Sequence, residues 1–295
     1  MTLSTLRLAT RSSPLALWQA HWVAGRLRRA HPGLKVTLVP LHSSGDLDRT
    51  TALYASSSVG VFVREIQAAV LDGRADAGVH SCKDLPTTPP PGLVLASVQP
   101  RADVRDALIT RDGRPLSALP LGALVGTSSL RRQTQLLHLR PDLRFAPIRG
   151  NVDTRLRKLA AGEADATILA MAGLHRLGLV VAARAVALDP WHESVPAPVQ
   201  GAVALDCRED DRLTRLHLAA ISHLPTWRAI NIERRILADL EGGCSLPLGC
   251  LVRRTAHASW QARIRLGDLH SPLREMTFAG DPTTFVARAR SAVHS

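Results

Sequence analysis

One cysteine of this chain is set apart from the other three. Cys244 stands in the run Leu240-Glu241-Gly242-Gly243-Cys244-Ser245-Leu246-Pro247-Leu248-Gly249, after a long helical pattern. Paired glycines remove side-chain cover and open backbone angles closed to other residues. A thiol presented in this way is a candidate attachment point or nucleophile. Other runs carry basic or acidic groups at turn signals. Gly126-Thr127-Ser128-Ser129-Leu130-Arg131-Arg132 puts hydroxyls, backbone N–H groups and two arginines at a helix start, which is an anion site by geometry and dipole. Pro147-Ile148-Arg149-Gly150-Asn151, followed by Arg155, repeats the arrangement, and Arg11-Ser12-Ser13 is its counterpart near the N-terminus. The plainer readings are helix capping by Ser128 or Ser129 and solvated surface arginines. The latter fits Arg26, Arg28 and Arg29 better than the arginines at the turns. His80-Ser81-Cys82-Lys83-Asp84-Leu85-Pro86 follows a strand-like run and offers a lysine beside a carboxylate. Asp84, next to cations, stays ionised and could hold a cationic intermediate or move a proton.

The elements that must position these groups read as alternating strand and helix. Leu6–Thr10 reads as a strand. Ser13 is the expected N-cap and Pro14 the first residue of a helix running to about Arg29, with Leu17, Trp18, His21, Trp22 and Gly25 as its apolar stripe. Lys35–Val39 is the next strand, residues 42–59 a polar loop, Val61–Leu71 a helix and Ala75–Val79 a strand. A weak internal repeat follows. Thr10-Arg11-Ser12-Ser13 resembles Thr127-Ser128-Ser129, His31-Pro32-Gly33-Leu34 resembles Arg140-Pro141-Asp142-Leu143, and Gly73-Arg74-Ala75-Asp76-Ala77 resembles Gly162-Glu163-Ala164-Asp165-Ala166, in the same order. Two such α/β units facing one another would make a cleft at the carboxyl ends of their strands, where α/β sheets bind ligands. Gln200–Leu205 reads as a strand returning to the first unit. Ile221–Leu240 reads as one long helix. Cys250–Ala256, Trp260–Leu266 and Arg274–Phe278 read as antiparallel strands, and Asp281 as the N-cap of a last helix: a small α+β tail. The expected domains are 1–99 with 200–219, 100–199, and 220–295.

Composition bounds the function. The chain has 295 residues, 45% of them hydrophobic and 21% charged, which suits a soluble globular protein of two or three domains. No apolar run spans a bilayer and the N-terminus has no signal-peptide pattern, so a cytoplasmic protein without membrane contact is expected. The net charge is +12, and of 37 basic residues only Lys35, Lys83 and Lys158 are lysines. A balance this basic calls for an acidic partner, and arginine suits bidentate recognition of carboxylates, although a GC-rich genome would also favour arginine. Nucleic acid is not the expected partner, because aromatics are only 3% and no basic arm appears. Cys82 and Cys207 read as buried small hydrophobes and Cys250 as a strand residue. No C-x-x-C pair exists and no metal site is expected.

Taken together, Ala9-Thr10-Arg11-Ser12-Ser13-Pro14-Leu15-Ala16, His80 to Asp84, Gly126 to Arg132, Arg149-Gly150-Asn151, Gln200-Gly201-Ala202 and Glu241-Gly242-Gly243-Cys244 resemble the hydroxymethylbilane synthase, or porphobilinogen deaminase, family across essentially the whole chain. The resemblance implies two periplasmic-binding-protein-like α/β domains and a small α+β C-terminal domain. It implies a transferase that condenses four porphobilinogen molecules into hydroxymethylbilane, with release of ammonia and a final hydrolysis, on a dipyrromethane cofactor. That cofactor would be joined by a thioether to Cys244, so that the cysteine is a permanent anchor. Asp84 matches the catalytic carboxylate. Arg11, Arg131, Arg132, Arg149, Arg155 and Arg176 match positions that bind acetate and propionate groups. Ser13, Ser81, Lys83, Thr127, Ser129, Gly150 and Gln200 complete the binding set, and Phe62 forms a wall of the lid. A monomer that passes product to uroporphyrinogen-III synthase is expected.

The chain also departs from the family pattern. Ala55-Ser56-Ser57-Ser58-Val59-Gly60-Val61-Phe62 lacks the usual lysines, Ser43-Ser44-Gly45-Asp46 lacks an arginine, Asp153 and Val199 stand where glycine is common, and the tail is short. These bear on lid function and rate, which keeps open a degenerate member with weak turnover. A non-catalytic two-lobed anion binder is the remaining alternative, but it has no need of Gly243-Cys244.

Overall fold

In the computed structural model of the chain, residues 4–41, 58–240, 246–269 and 271–294 are described, with the backbone alone at 58–62 and 294. Cys244, most of the expected loop at 42–59 and the side chain of Phe62 lie outside the described residues. The chain divides into two compact units, Met1–Arg101 with Ala202–Arg228, and Ala102–Gly201 with Ala229–Ser295.

The first unit is a five-stranded sheet. Strands β1 (Thr5–Arg11), β2 (Lys35–Leu41), β3 (Ala77–Ser81), β4 (Leu93–Val98) and, from late in the chain, β10 (Val203–Arg208) take the order β2-β1-β3-β10-β4. The pairs β1–β2 and β1–β3 are parallel, whereas β10 runs antiparallel to both neighbours. Helix α1 (Pro14–Ala30) starts as expected: Ser13 is extended and its hydroxyl accepts from the Ala16 amide, with Pro14 at the first position. The apolar stripe is a correction. The helix buries Gln19, Ala20, Val23, Ala24 and Leu27 against Leu6, Leu8 and Val79, while Trp18 is 38% exposed. Small residues let the helix sit close on the sheet, and the indoles of Trp18 and Trp22 stack beside it with centroids 5.9 Å apart. On the other sheet face, helix α2 (Ser58–Leu71) packs Ile66, Ala69 and Val70 on Ala9 and Leu93. With both faces covered, the strands read as nearly continuous apolar runs.

The second unit repeats this pattern. Strands β5 (Asp106–Thr110), β6 (Leu124–Gly126), β7 (Arg144–Ala146), β8 (Ala166–Ala170) and β9 (Val186–Ala187) take the order β7-β6-β8-β5-β9, in which β5 is the antiparallel strand. The repeated Gly-x-Ala-Asp-Ala motif has a common physical cause. Asp76 accepts from the Arg7 amide at 2.7 Å and Asp165 from the Leu124 amide at 2.8 Å. Each carboxylate thereby pins its helix-to-strand turn to the neighbouring parallel strand, β1 in the first unit and β6 in the second. Helices α3 (Leu130–Leu139), α4 (Val152–Ala160) and α5 (Met171–Leu177) complete this sheet domain.

The expected helix at 221–240 is present as α7 (Leu224–Asp239), and a break separates it from a preceding short helix, α6 (Arg212–Ala219). The break occurs where the His223 amide donates to Val98 O at 2.7 Å and Ser222 Oγ accepts from the Val98 amide. The tail is an antiparallel sheet of β11 (Leu248–Arg254), β12 (Trp260–Leu266) and β13 (Arg274–Gly280), with helix α8 (Phe285–His294). Its own core gathers Ile236, Cys250, Ile264, Phe278 and Phe285. Buried Glu233 joins it to the second unit's sheet domain, accepting from the amides of Val199 and Val252, the latter at 2.7 Å. Among the described residues, no helix is long and apolar enough to cross a membrane.

Candidate functional site

In the first unit the expected residues lie at neighbouring strand ends. Arg11 closes β1 and Ser81 closes β3, its parallel neighbour. Ser13, two residues on, accepts the Ala16 amide as the helix cap. Ser81 Oγ accepts from Gln19 Nε2 at 3.0 Å, which ties the strand end to α1. After β3 the chain makes a 3-10 turn, Cys82–Asp84, closed by the Leu85 amide donating to Cys82 O at 3.2 Å. The turn buries Cys82 as a small hydrophobe, leaves Lys83 exposed and holds Asp84 half-buried.

His80, just before that turn on β3, belongs to a buried polar cluster that the sequence reading did not contain. His80 Nε2 meets Asp206 Oδ1 at 2.9 Å, and Gln67 Nε2 donates to Asp206 Oδ2 at 2.9 Å. His80 and Asp206 are 4% and 3% exposed. Burial alone would raise the Asp206 carboxyl, but His80 outweighs it and holds the group below the ordinary carboxylate range. The signal for it is a carboxylate within the apolar run Val203-Ala204-Leu205-Asp206-Cys207.

In the second unit the hydroxyls sit as expected before α3, but not as simple caps. Ser129 is the N-cap residue and its side chain makes no capping bond. Thr127 Oγ1 accepts from the Ser129 amide at 3.2 Å instead, and Ser128 Oγ donates to Ile148 O at 3.3 Å. Arg131 and Arg132 are buried and share one carboxylate, Asp106, the first residue of β5. Arg131 Nη1 donates to Oδ2 at 2.8 Å and Arg132 Nη2 to Oδ1 at 2.7 Å. Burial would raise the Asp106 carboxyl, and the two guanidiniums outweigh it, driving the group far below the carboxylate range. The same burial pushes Arg131 down, with Asp106 pushing back.

Arg149 is exposed beside Gly150, whose φ of +113° suits glycine and whose Cβ would lie 2.5 Å from Thr154 Cγ2. Gly150 O accepts from Arg155 Nε at 2.8 Å. Arg155 is lowered to about 10, by burial first and then by the Arg132 charge. Among the described residues, no carboxylate pairs with it. Arg176 on α5 is 9% exposed, donates to Gly201 O at 2.7 Å and is lowered to about 10 by burial. Gln200 lies not in a strand but in the turn before β10, donating to Val104 O at 2.8 Å and Asp106 Oδ1 at 3.1 Å. The structure thus brings Arg131, Arg132 and Gln200 together on Asp106, with Arg155 in electrostatic reach.

Two buried guanidiniums on one carboxylate, with Arg155 in electrostatic reach of Arg132, suit an anion with several acid groups. Fit to a polycarboxylate cofactor is supported by the Nη atoms of Arg155 and by buried Arg132 Nε, which have no acceptor among the described residues. Among the described residues, no group of three or more His, Cys, Asp or Glu side chains could hold a metal ion.

The model of the porphobilinogen deaminase family, dipyrromethane cofactor binding domain, matches residues 6–215. Among solved structures, the chain is similar to a putative periplasmic sulfonate-binding protein from Methylobacillus flagellatus KT, at 16% identity and a TM-score of 0.45 over 79% of this chain and 72% of that one. It is also similar to a probable amino-acid ABC transporter extracellular-binding protein from Bacillus subtilis, at 10% identity and a TM-score of 0.46 over 74% and 89%.

Proposed function

The chain belongs to the porphobilinogen deaminase family, and we propose that it is a hydroxymethylbilane synthase, joining four porphobilinogen molecules head to tail with loss of ammonia and releasing the linear tetrapyrrole by hydrolysis. The observation that carries this reading is the excess of buried guanidinium over carboxylate around Asp106. A growing pyrrole chain bears an acetate and a propionate on every ring, and such a polyanion supplies the missing counter-charge. Dipyrromethane, when bound, supplies the pyrrole carbon to which the first substrate is joined, and Cys244 is the residue that would anchor it.

The remaining roles belong to the chain's own groups. Arg11, Ser13, Ser81 and Lys83 in the first unit, and Thr127, Ser129, Arg131, Arg132, Arg149, Arg155 and Arg176 in the second, donate hydrogen bonds to carboxylates. Charge-assisted bonds of this kind are short and directional, so they orient as well as attract. The Gly150 and Gln200 turns hold the backbone that carries them. Asp84 sits on the turn that follows β3, closed on Cys82 O, a few residues after His80 of the His80–Asp206 pair. A carboxylate there accepts the pyrrole N–H, stabilises positive charge as the amine leaves, and moves the proton.

The test is Asp84→Asn. It keeps the shape and the hydrogen bond but removes the base and the charge. Porphobilinogen binding is expected to persist while ammonia release in a single turnover falls by about 10²-fold or more. Ammonia release within a few-fold of the unsubstituted protein would refute the assignment.

A further inference from the structure

We propose that Asp106 is the positioning residue of the anion site: it acts through Arg131 and Arg132, fixing which of their N–H edges remain for the ligand. The inference rests on the function proposed above and assigns a role to a residue that none of the sequence motifs contains. Asp106 is fully buried, so it cannot touch the ligand itself. Its carboxylate is saturated by four donors from three places in the fold, two of them from α3. Oδ1 accepts from Arg132 Nη2 at 2.7 Å and Gln200 Nε2 at 3.1 Å. Oδ2 accepts from Arg131 Nη1 at 2.8 Å and Ser194 Oγ at 3.1 Å.

The arrangement uses one edge of each arginine and leaves the rest. Among the described residues, Arg131 spends only Nη1 on protein acceptors, Asp106 and Val195 O. Arg132 spends Nη1 on Ile168 O and Nη2 on Asp106 and keeps Nε without a partner. A guanidinium is planar, so fixing one Nη in the plane of a buried carboxylate fixes the direction of the remaining N–H bonds. The backbone acceptor Val195 is itself held, its amide donating to Gln135 Oε1 at 2.7 Å and its carbonyl accepting from Gln135 Nε2 at 3.0 Å. Asp106 therefore aligns two cations while cancelling the charge of only one.

Asp106→Asn separates three possibilities, because each predicts a different pair of readings. If Asp106 positions the arginines, the folded variant has a KM for porphobilinogen at least tenfold higher, with kcat changed much less. If the carboxylate only weakened the positive field, its removal would tighten anion binding and KM would fall. If Asp106 were merely structural, Tm would fall with KM unchanged. Either of the last two results overturns the proposal.

Should Asp106→Asn fail to fold, Ser194→Ala decides. It removes one donor to Oδ2 and leaves every charge in place. A KM raised two- to fivefold at unchanged Tm supports the positioning role, and a KM equal to that of the unsubstituted protein overturns it. Calorimetric titration with citrate, a simple polycarboxylate, makes the same comparison without turnover. If the unsubstituted protein binds citrate but does not consume porphobilinogen, the proposed function fails. The positioning role is then judged on the citrate Kd, which is expected to rise tenfold in Asp106→Asn; an unchanged value would overturn it.

Discussion

Gly78 is a position where adding one methyl group should cost stability. It lies on β3, opposite Asp206 on β10. A Cβ at Gly78 would lie 2.4 Å from Asp206 Oδ1, 2.6 Å from His80 Nε2 and 2.8 Å from Ile66 Cγ2. None of the three can step aside freely. Asp206 is gripped through its other oxygen by Gln67, His80 is buried against Asp206, and Ile66 is in the core beneath α2. Overpacking a core costs about 1–3 kcal/mol. Forcing Asp206 off His80 adds the cost of a broken buried pair, about 3–5 kcal/mol when complete. Gly78→Ala should therefore lose about 2–5 kcal/mol, or roughly 6–15 °C at about 3 °C per kcal/mol for a unit of this size. Gly25→Ala is the control. It lies within α1, its Cβ would meet nothing nearer than Arg29 Nη1 at 4.0 Å, and it should gain up to about 1 kcal/mol of helix propensity. Thermal unfolding followed by circular dichroism compares the two. A loss below about 2 °C for Gly78→Ala, or an equal loss for both, would refute the argument.

Two further outcomes follow from buried groups. The folded value of Asp106 lies below its unfolded one, so its pairing adds stability above about pH 4, the ordinary carboxylate value, and that stability is lost as pH falls below it. The Tm gap between the unsubstituted protein and Asp106→Asn should accordingly narrow between pH 6 and pH 3, and a gap that widens in acid would contradict the pairing. Burial, with Asp211 and Asp206 adding to it, pushes the Cys207 thiol up to about 12. Iodoacetamide at pH 8 should leave Cys207 unlabelled in the folded protein and label it in urea, as peptide mapping would show. Rapid labelling in the folded state would contradict its burial.

Local signals were the readable part of the fold. Ser13-Pro14 announces the start of α1 because the cap and the fixed proline φ act within one turn. The three repeated motifs foretold two similar α/β units, and in each an aspartate, Asp76 or Asp165, does the same job. What depends on distant partners stayed hidden. Trp18 looks like part of a core stripe, yet it is exposed, and α1 buries Ala20 and Ala24 on the sheet with Trp22 packed against the core's margin. The break between α6 and α7 is made by Val98, more than a hundred residues earlier. The arginine motif at 131–132 was legible, but its counter-charge on β5 was not, since pairing Asp106 with Arg131 requires the sheet to be built first. A carboxylate opening the apolar run Asp106-Ala107-Leu108-Ile109 was the one available sign. Val199 shows the opposite case. Its φ of +58° is costly for a β-branched residue, which accounts for glycine as the expected occupant.

The central claim is that Cys244 carries a primer for pyrrole polymerisation, and intact-mass spectrometry tests it most directly. Protein exposed to porphobilinogen should carry a covalent adduct of two porphobilinogen-derived units, and Cys244→Ser should carry none. An unmodified chain after that exposure, or an adduct that survives in Cys244→Ser, would contradict the account.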